Sequence, residues 1–309
     1  MMDNQYFDIV NAWMCNNYSL YIQHLEVIPN RLNTVLKVMD QQKNRFYIKL
    51  FNQPRQSISI ETEANLVNEL NSIGLASAQV LKNNRGNYLT RLKLCHQFYD
   101  TLVFSEARGR ECSLEKTDLK LLAQSLVQLH QYQPNSLIQP FDFHDYLKKF
   151  IKIQSFITED ETYSQYYKHL CSQIYLLMPL NESQSFCHGD ARPENTFIDE
   201  KEHLTFIDFE NAALATPKYD LATVVWNLIS SDLSNEEVDH RLKYFLHIYN
   251  GLSQQTLQMK EILPYVLFRE AWSIYFLREN CLFSEKMMKI LFLASQARYL
   301  KIKELIDNK

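Results

Sequence analysis

The stretch FCHGDARPENTFID, residues 186–199, is followed after a short polar turn by LTFIDFE, residues 204–210. Apolar and β-branched residues on both sides of the turn predict a β-hairpin. The two strands of a hairpin are adjacent, so we expect Asn195 and Asp208 to meet near one end of it. Asp190 lies in the loop that precedes the hairpin, within reach of the same point.

These three side chains favour one kind of chemistry. The amide oxygen of Asn195 and the carboxylate of Asp208 suit a hard cation such as Mg²⁺, which prefers a few protein oxygens together with substrate phosphates. The carboxylate of Asp190 is able to accept a proton from an attacking hydroxyl group. The sequence therefore predicts a magnesium site with a general base beside it.

The composition is that of a globular protein. The chain has 309 residues, of which 46% are hydrophobic and 22% charged, and these ordinary values allow a large core. Its length suits one globular unit with two lobes. The formal net charge is -4, with acids and bases interspersed, so nucleic acid is not an expected partner.

The sequence predicts neither a membrane-spanning segment nor a signal peptide. The longest apolar runs are too short to span a bilayer. The first ten residues, MMDNQYFDIV, carry acids and amides where a signal peptide has basic residues. We therefore expect a cytoplasmic protein without a membrane partner.

Two residue counts exclude several kinds of site. The chain has 5 glycines, where average usage of about 7% would give about twenty. Neither the glycine pattern of a dinucleotide-binding site nor that of a Walker-type loop is present. The 6 cysteines are not clustered, which argues against a zinc site or a disulfide framework and predicts reduced, buried thiols.

The predicted elements change character near Gly109. Before it, one helix at 60–73 interrupts β-rich runs at 27–38, 45–51, 88–94 and 101–104. After it, apart from the hairpin, we expect helices that end near Leu129-His130 or cover 144–178, 221–231, 235–250, 262–280 and 285–306. Capping-box spacing pairs Thr158 with Glu161 and Ser234 with Glu237, and Asn250-Gly251 is typical of a helix end.

The spacing HxDxxxxN, followed by Ile-Asp-Phe, resembles the catalytic loop and the metal-binding aspartate of the protein-kinase-like superfamily. His188-Gly189-Asp190 and Asp208-Phe209-Glu210 are most similar to the aminoglycoside phosphotransferase and choline kinase branch. The resemblance implies an α+β, bilobal protein-kinase-like fold. It implies a β-rich, nucleotide-binding N-lobe over residues 1–107 and a mainly helical C-lobe over 108–309, with the catalytic loop and the acceptor-binding helices.

Within the C-lobe the resemblance gives each matching residue a role. Asp190 would be the catalytic base, and Asn195 and Asp208 would hold Mg²⁺. Asp220, in Tyr-Asp-Leu-Ala, would tie down the backbone of the catalytic loop, while His188 is expected to be structural. Arg192 would either neutralise charge on the transferring phosphoryl group or form a surface ion pair. Glu210 leaves two interpretations open as well: contact with a metal or a cationic substrate, or support of the loop.

The N-lobe residues are assigned in the same way. Lys49 resembles the lysine that steadies the α- and β-phosphates of the nucleotide, and Glu63 resembles its partner, although Glu61 is two residues away. Phe104, Ser105 and Glu106 look like the hinge, whose backbone would bond the adenine.

Two positions differ from protein kinases. The segment 28–33 has no glycine where a phosphate-binding loop is expected. Tyr47 stands where a small residue commonly lies against the adenine, so GTP remains possible beside ATP.

The resemblance implies an ATP- and Mg²⁺-dependent kinase that phosphorylates a hydroxyl group of a small molecule. The acceptor would be an amino alcohol, an aminoglycoside, homoserine or a thiamine-like compound, bound near helices 144–178 and 262–280. Acidic and aromatic residues there could hold a cationic acceptor: Asp142, Asp145, Tyr163, Glu270, Trp272 and Tyr275.

Two alternatives remain. Arg-Pro-Glu-Asn at 192–195 resembles the Lys-Pro-Glu-Asn of protein kinases, which suggests a Ser/Thr protein kinase of the bacterial stress-response type. Against this, Ala-Pro-Glu is missing and only nine residues separate Glu210 from Asp220. A nucleotide-binding pseudokinase is the other, although such proteins usually lose one of the lysine, the base or the metal ligands, and this chain keeps them all.

Overall fold

The computed structural model describes residues 2–28, 34–51, 58–280 and 283–307. Residue contacts divide the chain into two units. The first unit comprises Met1–Glu111, Pro134–Ile138 and Asn195–Asn211. The second unit comprises Cys112–Gln133, Gln139–Glu194 and Ala212–Lys309.

Strands and helices are numbered in chain order. The strands are β1 Ile22–Ile28, β2 Thr34–Asp40, β3 Arg45–Phe51, β4 Thr90–Leu94, β5 Gln97–Ser105, β6 Arg110–Glu111, β7 Ser185–Cys187, β8 Thr196–Ile198, β9 Leu204–Phe206 and β10 Ala213–Ala215. The α-helices are α1 Met2–Tyr18, α2 Ile60–Ser72, α3 Lys116–Gln131, α4 Phe143–Lys152, α5 Glu161–Leu177, α6 Lys218–Ser230, α7 Asn235–Ser253, α8 Met259–Glu279 and α9 Glu285–Asp307.

The first unit is built on a five-stranded antiparallel sheet in the order β1-β2-β3-β5-β4. Alternate residues of β2, such as Leu36 and Val38, point into its core because side chains of a strand alternate between the two faces. Helix α1 packs on this core through Trp13, whose Nε1 donates to the carbonyl of Arg91 at 2.9 Å. Strand β3 lies in the middle of the sheet, which makes Lys49 a central residue.

Helix α2 begins where the sequence predicts. The side chain of Ser59 caps it by accepting a hydrogen bond from the Thr62 N–H at 3.0 Å. Leu66 and Leu70 recur on the buried face of the helix together with Glu63. This arrangement places one carboxylate inside the core of the first unit.

The predicted hairpin is present as β8 and β9 and forms a three-stranded sheet with β6. The backbone of Phe206, in β9, also bonds to Leu75 and Ser77, which follow α2. Gly109, just before β6, has a φ of +101°, and a Cβ there would lie 2.1 Å from the carbonyl oxygen of Ile198. Only glycine fits this approach between β6 and β8.

The second unit is mainly helical, with a two-stranded sheet of β7 and β10. Helix α8 contributes most of its length to the core of this unit. A group of rings lies at its centre: Phe141 stacks on Tyr146 at 4.9 Å, and Phe143 meets Phe268 edge to face at 5.1 Å. Such pairs add to the stabilisation that comes from burying their area.

Several sequence predictions were wrong. The sequence predicts one helix before Gly109, at 60–73. Helix α1 is a second one: its residues Val10, Trp13 and Met14 recur at helical spacing and are buried. The predicted helix 144–178 is two helices, because the chain leaves the helical conformation before Asp160, whose side chain caps α5.

Other helix ends differ in detail. Thr158 does not cap α5; its hydroxyl donates to Glu285 at 3.1 Å. Ser234 caps α7 as predicted by accepting from the Glu237 N–H. Helix α7 continues past Gly251 to Ser253 and ends at Gln254, whose φ is 57°. In the predicted run 27–38, residues 29–33 lie outside the described part of the chain.

Candidate functional site

Lys49 is the buried centre of a charge cluster in the first unit. Its Nζ donates to Asp208 Oδ1 at 2.6 Å and to Glu210 Oε2 at 2.8 Å. Glu63 Oε1 lies 3.9 Å from the same nitrogen, and the Glu63 side chain is fully buried. Glu61, the alternative partner, is exposed to solvent. The structure therefore places Glu63, and not Glu61, beside Lys49.

Among the described residues, the cluster has more negative than positive charge. Three carboxylates surround the ammonium group of Lys49. Burial is the main reason why the pKa of Glu210 is raised, the charge of Asp208 adds to it, and Lys49 opposes both. Negative charge held in a partly desolvated place is an environment that a cation stabilises.

Asn195 and Asp208 approach each other as the hairpin argument expected. The carbonyl of Asn195 accepts a hydrogen bond from the N–H of Ile207 at 2.9 Å, which brings the residue before Asp208 against Asn195. Asn195 is buried. Asp208 has a φ of 62°, a left-handed conformation that is uncommon for residues other than glycine and that aspartate adopts more readily than most. The amide oxygen of Asn195 and the carboxylate oxygens of Asp208 are of the kinds that Mg²⁺ takes as ligands.

The predicted hinge residues end strand β5. Phe104 pairs with Tyr47 of β3, which is half-buried. The N–H of Ser105 donates to Gln79 at 2.8 Å and that of Glu106 donates to Arg45 at 3.1 Å. A base bound here would have to use other backbone groups than these two amides.

Asp190 lies in the second unit, between two guanidinium groups. Arg192 Nε is 3.2 Å from Oδ2, and the Arg192 side chain is 45% exposed. Arg269 Nη2 contacts Oδ1 from the other side, and Arg269 is buried. The N–H of Asp190 donates to Nδ1 of His188 at 3.1 Å, which gives His188 the structural role that was expected of it.

Asp220 holds the backbone of the same loop. Its two oxygens accept from the N–H of His188 at 2.7 Å and from that of Gly189 at 2.8 Å. Nε2 of His130 lies 3.2 Å from Oδ2. Burial alone would raise the pKa of Asp220, but the hydrogen bond and charge of His130, with the contacts of His188, lower it. The carboxylate is therefore held ionised inside the core.

Arg269 was missed by sequence reasoning. It belongs to no motif, and it follows the apolar run Pro264–Phe268 in α8. The signal that could have found it is the pair Arg269-Glu270, two adjacent charges within an otherwise apolar stretch. A pair of this kind in a buried helix must be matched by charges from elsewhere in the fold.

The residues predicted to hold a cationic acceptor are mostly engaged otherwise. Asp142 caps α4, and Asp145 pairs with Lys149 at 2.8 Å. Tyr163 stacks on Phe292, and Tyr275 contacts Phe150. Both oxygens of Glu270 are bonded, to Trp226 and to the two guanidinium nitrogens of Arg298. Trp272 alone of the six contacts the surroundings of Asp190, since its ring lies 5.4 Å from the Arg269 guanidinium.

Residues 24–256 match the model of a family described as "APH: Phosphotransferase enzyme family". The chain belongs to this family. It is therefore a phosphotransferase, as the motif around Asp190 indicated. No curated protein matches its sequence at a significant level.

Solved structures similar to this phosphotransferase cover nearly its whole length. An amicoumacin kinase, in complex with AMP-PNP, Ca²⁺ and Ami, is 15% identical with a TM-score of 0.73 over 98% of this chain and 95% of its own. A microcompartment-associated aminopropanol kinase is 14% identical with a TM-score of 0.74 over 97% and 98%. A spectinomycin phosphotransferase with ADP and spectinomycin is 14% identical with a TM-score of 0.70 over 94% and 97%.

At such identities the similarity establishes the fold. The expected protein-kinase-like fold, β-rich in its N-terminal part and mainly helical in its C-terminal part, is confirmed. Among the described residues, no helix combines the length and the apolar character needed to cross a membrane.

Proposed function

We propose that this phosphotransferase moves the terminal phosphate of ATP to a hydroxyl group of a small molecule in a Mg²⁺-dependent reaction. The observation that supports this most directly is the charge cluster in which the buried Lys49 meets Asp208 at 2.6 Å. This contact joins Lys49, a cation suited to binding phosphate, to Asp208, a carboxylate suited to binding a metal ion. Asn195 lies at the same end of the hairpin. Similar structures contain AMP-PNP or ADP.

In this proposal each residue keeps the role predicted from its motif. Lys49, positioned by Glu63, binds the α- and β-phosphates, and the backbone of residues 104–106 contacts the adenine. Asn195 and Asp208 hold Mg²⁺, which when bound neutralises charge on the phosphates. We assign nucleotide binding to residues 1–107 and acceptor binding to 108–309.

The transfer itself needs a base and an oriented hydroxyl. The acceptor oxygen bonds to the γ-phosphorus while the bond from that phosphorus to the β,γ-bridging oxygen breaks, and ADP leaves. Asp190 accepts the proton that the hydroxyl loses. Arg192, which is half-exposed beside Asp190, can turn towards the charge of the transferring group.

The acceptor is proposed to be an amino alcohol, an aminoglycoside, homoserine or a thiamine-like compound. The similar structures include an aminopropanol kinase, a choline/ethanolamine kinase family protein and a spectinomycin phosphotransferase. The names of these proteins favour small hydroxylated acceptors over proteins.

The test is a Mg-ATP transfer screen over these compound classes and a casein-like protein. Asp190→Asn is expected to lower kcat by about 10²–10⁴, the scale of a general base. Glu194→Gln is the matched control, since it makes the same change on an exposed side chain of the same loop. Phosphorylation of a small molecule that survives in the control and is lost in Asp190→Asn would support the proposal.

Two results would contradict it. Transfer to the protein acceptor alone would indicate a Ser/Thr protein kinase. Binding of Mg-ATP without transfer to any acceptor would indicate a pseudokinase.

A further inference from the structure

Helix α8 inserts a guanidinium group into the loop that carries Asp190. Arg269 Nη1 donates to the carbonyl of Gly189 at 3.0 Å, and Nη2 donates to Asp190 Oδ1. The Cζ atom of the guanidinium lies over the ring of Trp272, 5.4 Å from its centroid. The group thus contacts two consecutive residues of the loop, one through its backbone and one through its side chain.

Burying this charge is costly unless it is matched. The Arg269 side chain is 9% exposed. Burial alone would lower its pKa, but the carboxylate of Asp190 raises it above the ordinary value, so Arg269 stays charged. A buried arginine whose guanidinium group bonds a single carboxylate fixes the orientation of that carboxylate.

Arg269 completes a support that Asp220 begins. Asp220 accepts from the N–H groups of His188 and Gly189. Arg269 donates to the carbonyl of Gly189. The peptide groups just before Asp190 are therefore held from both their donor and their acceptor sides.

We propose that Arg269 is a positioning residue for the reaction: it fixes Oδ1 of Asp190, so that Oδ2 is the oxygen presented to the acceptor hydroxyl. This inference rests on the proposed function, in which Asp190 is the base. Arg192 touches Oδ2 from a half-exposed side chain, whereas Arg269 touches Oδ1 from the core. The exposed contact is replaceable by an acceptor, and the buried one is not.

The second unit offers a matched control in Arg298. This arginine also pairs with a buried carboxylate, Glu270, through bonds of 2.7 and 2.8 Å. It also lies over a tryptophan, Trp226, at 5.2 Å. Its side chain is 15% exposed. Arg298 thus reproduces the packing of Arg269 without its contact to Asp190.

The experiment compares Arg269→Lys with Arg298→Lys in the full chain, using the acceptor found for the wild type. Lysine keeps the charge but lacks the planar fork whose two nitrogens bond Gly189 and Asp190 separately. We expect Arg269→Lys to lower kcat by about 10², the scale of a misplaced catalytic group, with KM for ATP changed by less than about twofold. Arg298→Lys is expected to leave kcat within about threefold, because the bonds of Arg298 go to Glu270 and not to the loop of Asp190.

A second measurement separates positioning from stability. In Arg269→Ala, added guanidinium ion, at concentrations well below those that unfold the protein, is expected to restore part of kcat. In Arg298→Ala it should not. A purely structural role predicts that any rescue follows the recovery of folded protein and is the same in both variants, because a guanidinium ion that fills the vacated site stabilises the folded state in either one.

The possible results are distinct. Undiminished kcat in Arg269→Lys, or equal losses of kcat in the two lysine variants that follow their melting temperatures, would overturn this inference and leave the proposed function standing. Absence of transfer by the wild type with every acceptor would overturn the proposed function, and this inference with it.

Discussion

Lys49 and Asp208 are 159 positions apart in the chain, yet their side chains meet at 2.6 Å in the interior of the first unit. The contact forms because β3 occupies the middle of the five-stranded sheet, while the hairpin that leads to Asp208 is bonded to the segment after α2. A lysine from the sheet and an aspartate from the hairpin are thereby fixed in one cluster.

Replacing the ammonium group tests this cluster. We expect Lys49→Met to lower kcat by about 10²–10³, as the loss of a preorganised charge does. The free energy of unfolding at neutral pH should fall by about 1–3 kcal/mol, because the buried carboxylate of Glu63 and the partly buried ones of Asp208 and Glu210 lose a charged partner. Lys37→Met is the control: Lys37, on β2, forms an exposed pair with Glu26 at 3.3 Å, and such pairs contribute little. Equal effects of the two changes on kcat would contradict the assignment.

The second prediction concerns the partner of Lys49. Glu63→Gln should lower kcat/KM for ATP by about tenfold to a hundredfold, because the lysine loses a buried charge that helps to place it. Glu61→Gln, two residues away on the exposed side of α2, should change it by less than about twofold. Steady-state kinetics with varied ATP gives both values. A larger effect from Glu61 would reverse the assignment.

The pH dependence of stability tests Asp220. Its pKa is lowered in the folded protein, so its contribution to stability is present above the unfolded pKa of about 3.9. That contribution is lost as the pH falls through the folded pKa. Asp220→Asn should therefore cost about 3 kcal/mol at neutral pH, since the hydrogen bonds that a buried carboxylate accepts from His188 and Gly189 lose their charged acceptor, and progressively less below about pH 4.

Urea unfolding at neutral and acidic pH measures this difference. Asp232→Asn, on an exposed side chain, serves as the control and should follow the wild type at each pH. A gap between Asp220→Asn and the wild type that stays constant with pH would show that the charge of Asp220 is not responsible.

The approach of β6 to β8 predicts the effect of adding one methyl group. Gly109→Ala should destabilise the protein by about 3 kcal/mol, the sum of about 1–2 for a left-handed alanine and about 1–3 for the overlap with Ile198. Gly74→Ala shares the left-handed backbone, with a φ of 78°, but its Cβ would meet no atom within 4 Å. It should cost only about 1 kcal/mol. Thermal unfolding of both variants checks the difference.

Local spacing was enough to predict the hairpin, helix α2 and the family. Each depends on residues that are close in sequence: the alternation around the turn, the recurrence of Leu66 and Leu70, and the order of Asp190, Asn195 and Asp208. Such patterns are determined by the geometry of one element, so they can be recognised without knowing what packs against it.

The rest depends on partners that are distant in sequence. Asp190 and Arg269 are 79 positions apart, and nothing near Arg269 announces the contact. The sequence also could not show which acidic residues are available to a cationic acceptor. Glu270, for example, is neutralised by Arg298 from a different helix. Helix α1 could not be predicted from local preference, because Trp13 and Tyr18 favour strands in isolation. In the fold they are buried against the residues of the sheet.

Arg269 and Glu270 are neighbours on α8 that point to different destinations. The first reaches the loop of Asp190, and the second reaches Arg298 on the last described helix. Removing α9 would leave the Glu270 carboxylate buried without the guanidinium group that neutralises it, while Arg269 would keep both of its partners in the loop. The two neighbouring charges of α8 therefore separate two effects: a deletion that reaches Arg298 is expected to lower the stability of the second unit, whereas a change at Arg269 acts on the loop of Asp190 directly.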